Sequence, residues 1–253
     1  MASGNGWIDR PMTGFDTETT GVDVDVDRIV TAALVHRSGR AAPPAGTPGT
    51  EAGTVTGWLI DPGVPIPAAA TAVHGIDTAT ARAHGRAPAA AVEEIADALV
   101  AALRTGEPVV AYNAAYDLTL LDVELSRHGL PGLADRLGSP VAPVLDPLVL
   151  DRATDPYRPG KRRLGDLCAH YGLATGPLHN ADADVTATLD VLAAIVGAHP
   201  EIGRLDLAAV HALQVDGHRR WAESFNAWRI SKGFPGEGAS TSWPMRTATV
   251  SAR

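Results

Sequence analysis

A chain of 253 residues, 45% apolar and 20% charged, has material for one good-sized domain with its own core. Its formal charge of −8 argues against a protein that coats duplex nucleic acid, because such binding needs a broad basic surface. The charge does not exclude carboxylates that hold cations beside a phosphate, since the ions reverse the local sign. No basic stretch leads into an apolar run at the N-terminus, so no signal peptide is expected. Glu93, Glu94 and Asp97 break the Ala-rich run at 89–103, so no membrane span is expected either. A lone cysteine, Cys168, cannot form an internal disulfide and suits a cytoplasmic protein.

In chain order, residues 12–16 read as a strand, and 28–35, rich in β-branched residues, as its hairpin partner. Gly and Pro through 39–53 predict a flexible loop; 54–60 reads as a third strand closed by Asp61-Pro62-Gly63. Pro88 is placed to open a helix running to 104. The apolar run 109–112 predicts a short buried strand. A helix follows over 117–128, with Leu118, Leu121 and Leu125 on one face and Gly129 as its stop. A strand is predicted over 144–150 and helices over 164–171, 182–198 and 205–230, ahead of a tail rich in Gly, Ser and Pro. Three strands, then strands alternating with helices, mean an α/β domain with a mixed central sheet flanked by helices.

Asp16 and Glu18, in Phe15-Asp16-Thr17-Glu18-Thr19-Thr20-Gly21, are two apart on a strand and point to one side. Two such charges repel unless a cation lies between them, and a hard divalent ion wants carboxylate oxygens. Alone, the pair is as well explained by a polar strand end. Asp117, in Asn113-Ala114-Ala115-Tyr116-Asp117, stands at a helix start directly after an apolar strand, where the dipole favours an acid anyway. His179-Asn180-Ala181-Asp182-Ala183-Asp184 adds a histidine and an acid five positions on. Four acids and a histidine in this order outweigh the bland reading of each. Zinc is rejected, because it favours Cys and His ligands at short spacing.

These stretches resemble the DEDD exonucleases, in the histidine branch that includes the proofreading epsilon subunit of bacterial DNA polymerase III. Residues 15–21 resemble the first motif, 113–117 the second, and His179 with Asp184 the third. Val73-His74-Gly75-Ile76 resembles the loop that meets the terminal nucleotide, and Lys161-Arg162-Arg163-Leu164-Gly165-Asp166-Leu167-Cys168 the basic turn and helix before the third motif. The match runs from about 12 to 200. Tyr112 stands where many relatives have histidine, and Tyr116 where phenylalanine is usual; neither is a metal ligand.

The resemblance implies an RNase H-like exonuclease fold and a 3′→5′ exonuclease releasing 5′-mononucleotides from 3′ ends of single-stranded or frayed DNA. It implies two Mg²⁺ or Mn²⁺ ions, with Asp16 bridging them, Glu18 and Asp184 completing one, and Asp117 holding the other through waters. It makes His179 the general base, and gives Thr17, Thr19, His74, Gly75, Ile76 and Asn113 to the substrate. RNA trimming is the alternative within this branch, and a partner-dependent end-binding subunit the alternative outside it. A DNA polymerase is the partner implied, in replication proofreading or repair. Arg158, Lys161, Arg162 and Arg163 read equally as phosphate contacts or as a solvated loop.

The organisation expected is an exonuclease domain over 1–200, with a C-terminal helix and tail, 201–253, packed on it. Trp221, Phe225 and Trp228 share a helical face, read as core packing, with a docking face for another protein as the alternative. Trp243-Pro244 reads as a strap on the domain or as a partner motif. The remaining histidines, His74 excepted, are expected on the surface or in loops.

Overall fold

The computed structural model describes residues 6–39, 53–174 and 180–246. Three strands come first: β1, Met12–Thr19; β2, Ile29–Arg37; and β3, Thr54–Leu59. Two short helices, α1 (Ala68–His74) and α2 (Thr78–His84), precede the long α3 (Pro88–Arg104). Next come β4 (Val109–Val110), α4 (Ala114–Arg127), α5 (Leu133–Leu137) and β5 (Val144–Leu145). The rest is helical: α6 (Pro147–Thr154), α7 (Leu164–His170), α8 (Ala181–Ala198), α9 (Pro200–Gly203) and α10 (Leu207–Ser231).

Among the described residues the strands form one sheet of order β3-β2-β1-β4-β5, with β1 central. β1 runs antiparallel to β2 and parallel to β4, which runs parallel to β5. The sheet is therefore mixed, as expected, and alternation along its strands divides the core. Phe15, Leu34 and Trp58 pack with Leu99 of α3 and Leu118 and Leu121 of α4. Met12, Ala33 and Val35 pack on the other side with Val185, Leu189 and Leu192 of α8. Each fully buried aliphatic side chain here is worth about 1.5–3 kcal/mol. Gly14 lies on the α8 side of β1, where a Cβ would meet Val185 Cγ1 at 2.3 Å. Only a glycine lets the helix approach so closely.

The structure corrects several expectations. The strand predicted over 144–150 stops at Leu145, because the Asp146 carboxylate accepts the Leu148 N–H at 2.9 Å and Pro147 opens α6. α4 begins at Ala114, three residues before the predicted start, because the same carboxylate accepts the N–H groups of Asn113 (3.1 Å) and Ala114 (2.9 Å). Asn113 reaches this junction with φ +61°. The short helices α1, α2 and α5, five to seven residues each, carry no long apolar period in the sequence.

The aromatic stripe of α10 is not core. The helix buries Val210, Gln214, His218 and Ala222, every fourth residue, and none beyond Ala222. Trp228 is 48% exposed. Both His211 and His218 are partly or wholly buried on this helix, against the expectation of surface or loop positions. Gln214 ties α10 to β5: its Oε1 accepts the Asp146 N–H at 2.6 Å and its Nε2 donates to the Val144 carbonyl at 3.1 Å. The tail returns as a strap. Trp243 is buried beside His211, ring centroids 5.1 Å apart, and the Arg246 N–H donates to Thr119 Oγ1. No helix among the described residues is long and apolar enough to cross a membrane. Most of the loop predicted at 39–53 lies outside the described residues.

Candidate active site

Asp16 and Glu18 leave β1 on the face that Gly14 shares, toward α8. Asp184 lies in the first turn of α8, one residue before the Val185 that packs over Gly14. The close approach at Gly14 thus delivers Asp184 to the strand. One carboxylate oxygen from each of Asp16, Glu18 and Asp184 lies within 4.8 Å of the others. Full charges about 5 Å apart repel by roughly 3 kcal/mol at an effective dielectric of 20. The consequence is visible at Asp16, whose carboxyl is held well above the usual range by burial and then by the charges of Asp117, Asp184 and Glu18. A hard divalent cation relieves that repulsion, and the all-oxygen donor set fits one.

Asp117 comes from the other side. It sits in the first turn of α4, buried, and its Oδ1 accepts a hydrogen bond from Thr17 Oγ1 at 2.6 Å. Thr17 points opposite to Asp16 and Glu18, so Asp117 reaches the end of β1 from the α3–α4 layer. It stands outside the three-carboxylate group but near enough to Asp16 to raise its pKa. Burial pushes Asp117 up to about 7, with the Thr17 hydroxyl acting in the opposite direction.

The other predicted positions fall around this strand end. His74 closes α1, and Gly75 caps it with φ +78°. The Ile76 N–H donates to His74 Nδ1 at 3.1 Å, while His74 Nε2 is buried with no hydrogen-bond partner among the described residues. Burial lowers the His74 pKa, and the nearby Thr19 backbone opposes that shift. Thr19 Oγ1 and Tyr116 Oη meet at 3.0 Å, and both donate to the Gly21 carbonyl at 2.6 Å. Tyr112 Oη donates to the Arg162 carbonyl at 2.6 Å. His179 lies outside the described residues; Asn180, which follows it, is the N-cap of α8.

The basic cluster divides. Arg158 and Arg162 both pair with the wholly buried Asp151, which also accepts from Tyr171 Oη at 3.2 Å. Those two arginines anchor the segment ahead of α7, leaving Lys161 and Arg163 to the solvated face. Asp146, Asp151 and Gln214 position this region and were missed from sequence. Asp146-Pro147 is a readable helix start; nothing local marks Asp151 or Gln214.

The fold with its converging acids defines the class: an RNase H-like exonuclease fold with a carboxylate site at the end of its central strand. The family profile described as "Exonuclease" (RNase T type) matches residues 13–192, and the chain belongs to that family, among its DEDD members. Three-prime repair exonuclease 1 of Homo sapiens is 31% identical over 195 residues, 70% of this chain and 61% of that protein. A DNA polymerase III subunit epsilon-like protein of Rhodobacter capsulatus is 40% identical over 109 residues, 42% of this chain and 13% of that protein. Among solved structures, E. coli exonuclease I in complex with a dA16 oligonucleotide superposes with a TM-score of 0.60 at 19% identity, over 83% of this chain and 44% of that one. The likeness to exonuclease I is one of fold. The chain spans less than two thirds of each of these relatives.

Proposed function

We propose that this protein is a metal-dependent 3′→5′ exonuclease releasing 5′-mononucleotides from single-stranded or frayed 3′ ends of DNA. The observation that carries the reading is the convergence of Asp16, Glu18 and Asp184 within 4.8 Å, at the positions of the family's first and third motifs. Asp16, Glu18 and Asp184 would hold one Mg²⁺ or Mn²⁺, and Asp16 with Asp117 a second. Such a pair supplies positive charge and Lewis acidity at both ends of an in-line displacement at phosphorus. His179 takes the proton of the attacking water, an exchange suited to an imidazole that titrates near neutrality. Thr17 holds Asp117 in place.

The terminal nucleotide meets His74, Gly75 and Ile76 on one side, and the backbone of Thr17 and Thr19 with Asn113 on the other. With Nδ1 accepting from Ile76, neutral His74 carries its proton on Nε2, a buried donor suited to a substrate oxygen. We take residues 1–200 as the exonuclease domain and 201–253 as packed on it, a division the Gln214 bonds and the Trp243 strap support. A DNA polymerase is the partner we propose, in replication proofreading or repair, in the cytoplasm. The epsilon-like relative supports the partner, and the buried lone cysteine supports the compartment.

The test is digestion of a 5′-labelled single-stranded DNA, beside an RNA of the same sequence. A ladder shortening from the 3′ end, stopped by EDTA, restored by Mg²⁺ or Mn²⁺ and lost in Asp16→Asn, is expected. Undiminished cleavage in chelator overturns the mechanism, and faster loss of the RNA moves the substrate to the exoribonuclease alternative.

A further inference from the structure

We propose that the aromatic face of α10 is a stacking track for the single strand that enters the carboxylate site, holding nucleotides on the 5′ side of the scissile bond. The proposal rests on the exonuclease reading and adds the path of its substrate. Trp221 and Phe225 stack with centroids 5.4 Å apart at 12°, and Phe225 and Trp228 at 5.8 Å and 28°. Phe234, from the turn beyond the helix, extends the row 5.4 Å from Trp228. Trp228 and Phe234 are 48% and 52% exposed, so the outer half of the row presents ring surface to solvent.

Cations accompany the rings. The Arg152 guanidinium lies 3.8 Å over Trp221, and that of Arg229 6.0 Å from Phe225. Among the described residues no carboxylate pairs with Arg229 or with Lys232, which the helical period places below Trp228 on the same face. The acids of α10, Asp216 and Glu223, lie on the opposite face, tied to Arg219 and Arg220. A row of rings flanked by cations fits a strand of bases and phosphates, because every base has a π-face and every link a charge.

The row also leads somewhere. A groove of about 460 Å³ is lined by Asn113 and Tyr116 together with His218 and Trp221, and by Asp23 and Arg246. Tyr116 precedes Asp117 and meets Thr19 of β1 at 3.0 Å, so the groove that holds the first ring of the row also holds the neighbour of Asp117. Asn113, which the exonuclease reading gives to the substrate, lines this groove, and that favours the substrate strand over a protein ligand.

The test uses Trp228→Ala and Phe225→Leu, the second keeping apolar volume while removing the ring. Binding of a fluorescent oligothymidylate of about 12 nucleotides is followed by anisotropy in chelator, where the strand stays intact. Hydrolysis of the p-nitrophenyl ester of thymidine 5′-monophosphate, too short to reach α10, is followed in Mn²⁺. The expected result is a loss of affinity of about fivefold to a hundredfold per ring, with hydrolysis of the ester at the wild-type rate. Unchanged oligonucleotide binding overturns the proposal and leaves the face to a protein partner. A parallel fall in ester hydrolysis also overturns it, since the rings would then act on the site itself. If wild-type protein cleaves neither substrate, the exonuclease reading fails, while the anisotropy still decides the track.

Discussion

Asp16 and Thr17 are neighbours whose side chains leave β1 on opposite faces, and the site is built from both. Thr17 donates to the ionised form of Asp117, so losing the hydroxyl should raise a pKa that burial already sets at about 7. A hydrogen bond to a charged group is worth about 1.5–3 kcal/mol, or roughly one to two pH units. Because a ligand carboxylate must be deprotonated, Thr17→Val should move the midpoint of Mn²⁺ binding to higher pH by that amount. Calorimetric titrations between about pH 6 and pH 9 measure it; an unmoved midpoint would mean that Asp117 takes no part in binding metal. His179 is tested separately. His179→Ala should keep its Mn²⁺ affinity and lose about 10²–10⁴ in single-turnover rate, with partial recovery at high pH. A loss of affinity as deep as that of Asp16→Asn would make the histidine a ligand instead.

At the scale of elements, the site depends on one close contact, between β1 and α8. Gly14→Ala puts a Cβ 2.3 Å from Val185 Cγ1 and 3.2 Å from Leu189 Cδ1, inside a packed layer. Overpacking of this kind costs about 1–3 kcal/mol. The same displacement draws Asp184 away from Asp16 and Glu18. Gly14→Ala should therefore unfold at lower urea and, while still folded, bind Mn²⁺ more weakly. Instability with unchanged metal affinity would show that α8 yields without carrying Asp184. The junction of β4 and α4 is held by a different device, the Asp146 carboxylate, which accepts the N–H groups of Asn113 and Ala114 and fixes where α4, with Asp117 in its first turn, begins.

For the whole molecule, the crowded acids link folding to pH and to metal. Asp16 and Asp117 are both held above their unfolded value of about 4, Asp117 reaching about 7. Between those values the unfolded chain binds fewer protons than the folded one. The contribution of these groups to stability is therefore present below about pH 4 and is lost as pH rises through the folded pKa values. Divalent ions should reverse the trend by replacing the protons. Mn²⁺ at a hundredfold excess over its Kd should add about 2.7 kcal/mol, most visibly above neutrality. Denaturation midpoints at acid and alkaline pH, with and without Mn²⁺, read the effect; equal midpoints in the presence and absence of metal at alkaline pH would count against a metal bound at the cluster.

Local periods carried much of this protein. The two-residue repeat of a strand puts Asp16 and Glu18 on one side, and the helical periods of α3, α4, α8 and α10 are written in their apolar residues. Pro88 and Gly129 mark their boundaries as expected. Asp146-Pro147 marks a helix start too, yet its apolar surroundings read as strand. Tertiary contact alone decided the remainder. Trp221, Phe225 and Trp228 have the spacing of a core stripe, but α10 buries a different face, Val210, Gln214, His218 and Ala222, and nothing beyond Ala222. Arg158 and Arg162 look like free cations until Asp151 is brought beneath them. Asp184 joins Asp16 because Gly14, some 170 positions earlier, has no side chain to hold α8 off. A period reports which face a residue shares with its neighbours along the chain; what covers that face depends on distant residues meeting in space.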